Sequence, residues 1–250
     1  MGKLFGTDGI RGIANAELTV ETAFQLGKAG TYVLKKENER PVVLIGKDTR
    51  ISGDMLENAI AAGILSMGGN VIKAGTMPTP AIAYLVKHFQ ADAGVVISAS
   101  HNPFEYNGIK FFNGDGFKLD DNLEQQIENI ILNNIDVSSH IVGDKLGRCL
   151  EGEENAINLY SDFLKERVGM RFDGLKVALD CANGAAYRVA EKVYRELGAD
   201  VIAVSDKPDG RNINDRCGST HPENLQRLEE RRKAGRKPCN RHGDEQYRPT

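Results

Sequence analysis

The sequence predicts an α/β protein: a mixed sheet with helices on both faces, followed by an incomplete second α/β unit and an unfolded tail. Three observations carry this reading. Apolar runs of strand length alternate with helix-length amphipathic stretches over the first 135 residues. A polar stretch without a clear period, Asp136 to Glu154, then precedes a second strand and helix alternation. After Leu228 the apolar residues stop: positions 229–250 contain no Ile, Leu, Val, Met or Phe.

The elements follow in order. Thr19 caps a helix running to about Lys36, with Glu21 in the first turn, where the helix dipole favours an acid. Pro41 to Gly46 is an unbroken apolar run, which suits a strand buried on both faces. Ser52 to Gly68 reads as a helix ending in a Gly-Gly pair, and Asn70 to Gly75 as a short strand. Pro78 to Phe89 is a helix whose prolines fall in its first turn, where they are tolerated. Ala93 to Ile97 and Asn107 to Phe112 read as two further strands. Leu119, Leu123, Ile127, Ile130 and Ile131 recur at spacings of three and four, predicting an amphipathic helix from Asp120 to about Asn133.

The second unit reads as a helix from Asn155 to Val168, a strand from Leu175 to Asp180, a helix ending at Leu197 and a strand from Asp200 to Val204. Its Asn183-Gly184 turn is equally a phosphate- or sugar-approaching loop and an ordinary strand-to-helix turn. The expected domains are therefore 1–140, 141–228 and a tail over 229–250. The second unit lacks a complete sheet, leaving an unpaired edge after about Val204, so the first is expected to be the better ordered. The tail buries nothing apolar to offset its ordering entropy, so disorder is expected there.

Bulk composition excludes several functions. With 40% hydrophobic residues, 27% charged and a net charge of −3, nothing argues for nucleic acid or an anionic membrane as partner. The tail is rich in Arg and Lys, but it has one aromatic residue, Tyr247, and carries Asp244 and Glu245. The four cysteines form no Cys-x-x-Cys pair and read as isolated reduced thiols. No apolar h-region follows Met1, and no stretch approaches the roughly 20 apolar residues of a membrane span. A cytoplasmic location is expected by default.

The chemistry concentrates in three polar segments. Gly6-Thr7-Asp8-Gly9-Ile10-Arg11-Gly12 is a glycine-spaced loop offering a hydroxyl, a carboxylate and a guanidinium. Lys47-Asp48-Thr49-Arg50 follows the buried strand that ends at Gly46. Ser98-Ala99-Ser100-His101-Asn102-Pro103 follows the strand that ends at Ile97. Strand carboxyl ends are where open α/β sheets bind ligands, so the loops should share one rim. That rim would set Arg11, Lys47, Arg50, His101 and Lys110 around Ser100, an arrangement suited to a phosphoryl group on the serine. The competing reading is that Ser100 merely caps a turn and the cations are solvated.

These segments resemble the α-D-phosphohexomutases, in particular the bacterial branch that acts on glucosamine phosphates. The resemblance rests on Phe5 to Gly12, Gly46 to Arg50, Met77 to Pro80, Ser98 to Pro103 and Asn107 to Phe112. It continues through Asp180 to Ala185 and Gly218 to Leu225, and so covers residues 1 to about 228. It implies a three-layer helix, mixed-sheet, helix domain and a phosphorylated amino-sugar substrate. Phosphate would move between the sugar's 6- and 1-positions by way of a phosphoserine and a 1,6-bisphosphate. By this resemblance the catalytic residues are Ser100, His101, Lys110 and Arg11, with Thr7, Arg50 and Asn102 binding phosphate or substrate. Relatives acting on glucose or mannose phosphates share the serine chemistry and stand as the alternative.

The resemblance also implies Mg²⁺, held by a phosphoserine oxygen and three aspartates of an Asp-Gly-Asp-Ala-Asp-Arg loop. No such string is present, and Gly243-Asp244-Glu245 does not replace it. The expectation is a truncated product, arising from a frameshift near codon 228 or a misread gene boundary, whose 250 residues alone are catalytically inactive.

Overall fold

In this computed structural model the described residues are 4–6, 9–35, 40–137 and 141–233. Six strands make the main sheet: β1 (Ile10–Ile13), β2 (Val42–Lys47), β3 (Asn70–Thr76), β4 (Ala93–Ile97), β5 (Tyr106–Asn113) and β6 (Cys149–Leu150). Their spatial order is β1-β5-β4-β2-β3-β6. Strands β4, β2, β3 and β6 run parallel, while β5 is antiparallel to both β4 and β1.

Among the described residues, seven α-helices accompany the strands: α1 (Val20–Leu34), α2 (Ser52–Ser66), α3 (Thr79–His88), α4 (Asp121–Leu132), α5 (Glu153–Val168), α6 (Tyr187–Glu196) and α7 (Glu223–Lys233). The Thr19 hydroxyl accepts from the Thr22 N–H at 3.2 Å, the expected cap of α1. Alternation along the strands sorts the core into two layers. Val43, Ile45, Val95, Ile97, Ile109 and Phe111 face α1, α2 and α4. Leu44, Ile72 and Val96 face the other way, onto Ile82, Leu85 and Val86 of α3. The result is the expected helix, mixed-sheet, helix sandwich.

The second layer does not end with the first unit. Ala156 and Tyr160 of α5, with Val189, Val193 and Leu197 at α6, join the same core cluster. The Tyr84 ring of α3 stacks on Phe163 of α5, with centroids 4.0 Å apart. Strand β6 likewise lies inside the polar stretch read as a boundary, yet it pairs with β3 through Val71–Cys149 and Ile72–Leu150. The remaining strands, β7 (Lys176–Asp180) and β8 (Asp200–Val204), pair in parallel as a two-stranded sheet.

Two segments differ from their sequence reading. Arg11 belongs to a strand rather than a loop, because β1 borders β5 in the register Ile10–Ile109, Arg11–Gly108. Helix α7 continues to Lys233, five residues past the point where apolar residues stop. Positions 234–250, the rest of the expected disordered tail and Cys239 among them, lie outside the described residues. No helix among the described residues is long and apolar enough to cross a membrane.

Candidate active site

Strands β2 and β4 end side by side, with Lys47 opposite Ile97, and both polar loops leave from there. The Asp48 N–H donates to the Ile97 carbonyl at 3.0 Å, and the Ser98 N–H donates to Gly108 at 2.9 Å. Gly108 is fully enclosed: a Cβ there would lie 2.8 Å from the Ser98 carbonyl and 3.0 Å from that of Ile10. Only glycine lets β5 lie this close under the serine loop. Asn107 beside it is wholly buried, donating through Nδ2 to Ser52 Oγ at 2.9 Å.

Ser100 is exposed at the top of this assembly, with φ of 55°. A serine in the left-handed region costs about 1–2 kcal/mol, so the loop must hold it there. The restraint comes from the loop's own carbonyls. Arg50 Nη2 donates to Ser100 O at 3.1 Å and to Asn102 O at 2.6 Å. Asn214, from the loop after β8, donates through Nδ2 to the same two oxygens at 2.9 and 3.0 Å. The Ser100 N–H in turn donates to Ser98 Oγ at 3.1 Å.

Arg50 therefore does not stand on the rim as an open phosphate ligand, which corrects the sequence reading. The residue is 3% exposed, and its guanidinium is ion-paired with Asp48, which is equally buried. Burial draws its pKa below the ordinary value, Asp48 opposes that, and the positive charge of nearby Arg11 lowers it further. A guanidinium remains charged throughout, so Arg50 is a positioning group for the serine loop. Lys47 is not an open cation either. Its Nζ lies 2.7 Å from Asp54 Oδ1 and 2.6 Å from Glu57 Oε2, both on α2.

Arg11 and Lys110 stand on the paired strands β1 and β5. Arg11 sits opposite Gly108 and Lys110 opposite Val96, so both side chains leave the same face of the sheet. A Cβ on Gly9 would meet Lys110 Cγ at 3.0 Å, so the glycine leaves room for the lysine stem. His101 is exposed beside Ser100, and Asn102 enters through its backbone carbonyl. Thr7 lies outside the described residues. The Asn183-Gly184 turn is used structurally: the Asn183 carbonyl accepts from Thr49 Oγ1, and its side chain bonds Asn212 O and Lys207 N at 3.2 and 3.1 Å.

Asn214 was not singled out from the sequence, because the polar loop after β8 has no period to read. The rule that favoured the loops after β2 and β4, position at a strand's carboxyl end, applies to it equally.

The donors near Ser100 do not fit Mg²⁺. Asp48 is ion-paired to Arg50, and Asp180 accepts backbone N–H groups from Ala182 and Gly218, each through one oxygen, at 2.9 and 2.8 Å. Among the described residues, no group of three or more His, Cys, Asp or Glu could hold a metal ion.

The site thus sets an exposed, loop-clamped serine on a strand-end rim, with two cationic side chains on β1 and β5 of the same sheet. Residues 2–137 match the family phosphoglucomutase/phosphomannomutase, alpha/beta/alpha domain I. The chain is 58% identical to phosphoglucosamine mutase of Alkaliphilus metalliredigens over 234 residues, 94% of this chain and 52% of that protein. It is 61% identical to the phosphoglucosamine mutase of Alkaliphilus oremlandii over 224 residues, 89% of this chain and 50% of that protein. Among solved structures, a phosphoglucomutase/phosphomannomutase family protein of Burkholderia thailandensis superposes with a TM-score of 0.77. That match has 24% identity and covers 92% of this chain and 50% of the other, so it speaks to fold alone. The chain belongs to the phosphoglucomutase/phosphomannomutase family, and it spans about half the length of the curated relatives it matches.

Proposed function

We propose that this chain carries the phosphoryl-transfer serine of a phosphoglucosamine mutase, interconverting glucosamine 6-phosphate and glucosamine 1-phosphate. The observation that carries the reading is Ser100 itself, exposed in a left-handed conformation and fixed by four hydrogen bonds to its own carbonyl and that of Asn102. The names of the relatives at 58% and 61% identity supply the sugar.

In this reading the Ser100 Oγ–P bond breaks as the phosphorus bonds the free hydroxyl of the sugar monophosphate. The hydroxyl proton ends on Ser100 Oγ, and the product is a 1,6-bisphosphate. After the bisphosphate turns over, its other phosphoryl group returns to Oγ. Two in-line transfers through one fixed oxygen replace a single exchange between distant sugar positions. Arg11 and Lys110 neutralise charge on the equatorial oxygens, and exposed His101 neighbours the proton transfer. Arg50 and the Asn102 carbonyl set the loop. Mg²⁺ belongs to the family's chemistry, but the described residues do not form its site. A cytoplasmic location completes the reading.

The intact mass of the chain purified from cells tests this: one phosphoryl group is expected, mapped to Ser100 and lost in Ser100→Ala. A mass without phosphate that stays unchanged after incubation with glucose 1,6-bisphosphate would overturn the phosphoserine reading. A coupled assay with glucosamine 6-phosphate and Mg²⁺ is expected to show no turnover by the 250-residue chain. Turnover abolished by Ser100→Ala would refute that inactivity.

A further inference from the structure

We infer that Asn214 is a positioning residue for Ser100, so that the reactive conformation of the serine loop is set from the second α/β unit. The inference rests on the phosphoserine reading for its chemistry and on the loop geometry alone for the restraint.

The geometry is a closed set. A carbonyl oxygen has two lone pairs, and a carboxamide or terminal guanidinium nitrogen has two hydrogens. Asn214 Nδ2 divides its two hydrogens between Ser100 O and Asn102 O at 2.9 and 3.0 Å. Arg50 Nη2 divides its own between the same oxygens at 3.1 and 2.6 Å. Every lone pair on both carbonyls is thereby used, from opposite units of the protein. The amide cannot be turned over, because Oδ1 would then face two carbonyl oxygens.

Asn214 is itself built into place. Its φ is 60°, a conformation asparagine tolerates better than most residues. Its N–H donates to the Ala182 carbonyl at 2.9 Å, and Ala182, with φ of 53°, lies two residues past the end of β7. The Ile51 N–H donates to the Gly210 carbonyl at 2.8 Å, fixing the loop that carries Asn214 beside the loop that carries Arg50. A shift of the second unit would therefore pull directly on the carbonyls of Ser100 and Asn102.

The test separates the amide from the backbone. Asn214→Gly keeps the left-handed conformation and removes the donor, whereas Asn214→Asp keeps the shape and replaces the donor with an acceptor. In the 250-residue chain, amide hydrogen exchange across Ser98–Tyr106 should rise about tenfold or more in both variants, with β4 and α2 unchanged. Phosphate uptake at Ser100 from glucose 1,6-bisphosphate, followed by intact mass, should slow by a similar factor. Asn214→Gln, which retains the donor on a longer stem, should recover part of both. Loop exchange unchanged in Asn214→Gly would overturn the inference, as would equal and measurable phosphate uptake by wild type and that variant. A wild type that takes no phosphate while its loop loosens on substitution would instead fault the phosphoserine reading and leave the restraint standing.

Discussion

Lys47 Nζ lies 2.6 Å from Glu57 Oε2, tying the carboxyl end of β2 to the second turn of α2 beneath the candidate site. The Glu57 side chain is 5% exposed, and its next cation, Lys73, is 3.8 Å away. Burial alone would lower the Lys47 pKa, but the hydrogen bonds to Asp54 and Glu57 outweigh it and raise the group above its ordinary 10.5.

Lys47→Met should therefore destabilise the fold by about 2–3 kcal/mol, since it leaves the buried Glu57 carboxylate with the longer 3.8 Å contact to Lys73 in place of a direct charged hydrogen bond. The folded pKa lies above the unfolded one, so the contribution is fully present below pH 10.5 and is lost as pH rises through the folded value. Urea unfolding of wild type and variant checks this. A gap under about 1 kcal/mol at pH 8, as for an exposed pair, would contradict it.

Ser100→Gly should stabilise the chain while removing its chemistry. Relief of the left-handed conformation favours the folded state, and the added freedom of glycine in the unfolded chain offsets part of the gain. A net rise of about 0.5–1 kcal/mol is expected, with Ser100→Ala within about 0.5 kcal/mol of wild type. Thermal and urea unfolding measure both, and a destabilised Ser100→Gly would mean that the loop is not strained at this residue.

Gly108→Ala should cost about 1–3 kcal/mol by forcing β5 away from the Ser98 and Ile10 carbonyls. Those contacts are backbone, so no side-chain rotation relieves them. Phosphate uptake at Ser100 should fall with stability. A variant as stable as wild type would show that the strand spacing has slack.

Cys181 should resist alkylation. Burial, with help from Asp206, Glu191 and Asp180, raises its thiol from 9.0 to about 11, which lowers the thiolate fraction near pH 8 by about 100-fold. Exposed Cys149 should react with iodoacetamide first, and mass mapping after brief exposure distinguishes the two. Comparable native rates would show that the Cys181 thiol is more accessible than its surroundings imply.

Much of the fold was legible because its signals are local. The stripe from Leu119 to Ile131, the Thr19 cap and the apolar run into Gly46 depend on neighbours a few residues away, and they appear as read. Strands β1 and β6 were missed because each is short and becomes a strand only through a partner distant in the chain, β5 or β3. The site divides in the same way. Position at a strand end placed Ser100 on the rim, but nothing local shows that Lys47 would turn to Glu57 or that Arg50 would bury against Asp48. Pairing decides which cations are open, and pairing is tertiary.

Because α5 and α6 supply one side of the core that α3 begins, the natural seam for exchanging parts between relatives is not the polar stretch near position 140. A chimera spliced there would mate one parent's α3 with another parent's Tyr160 and Phe163, whereas a crossover at Gly169, which ends α5, would keep α3 and α5 together and leave α6 and the contacts of Asn183, Gly210 and Asn214 to be matched.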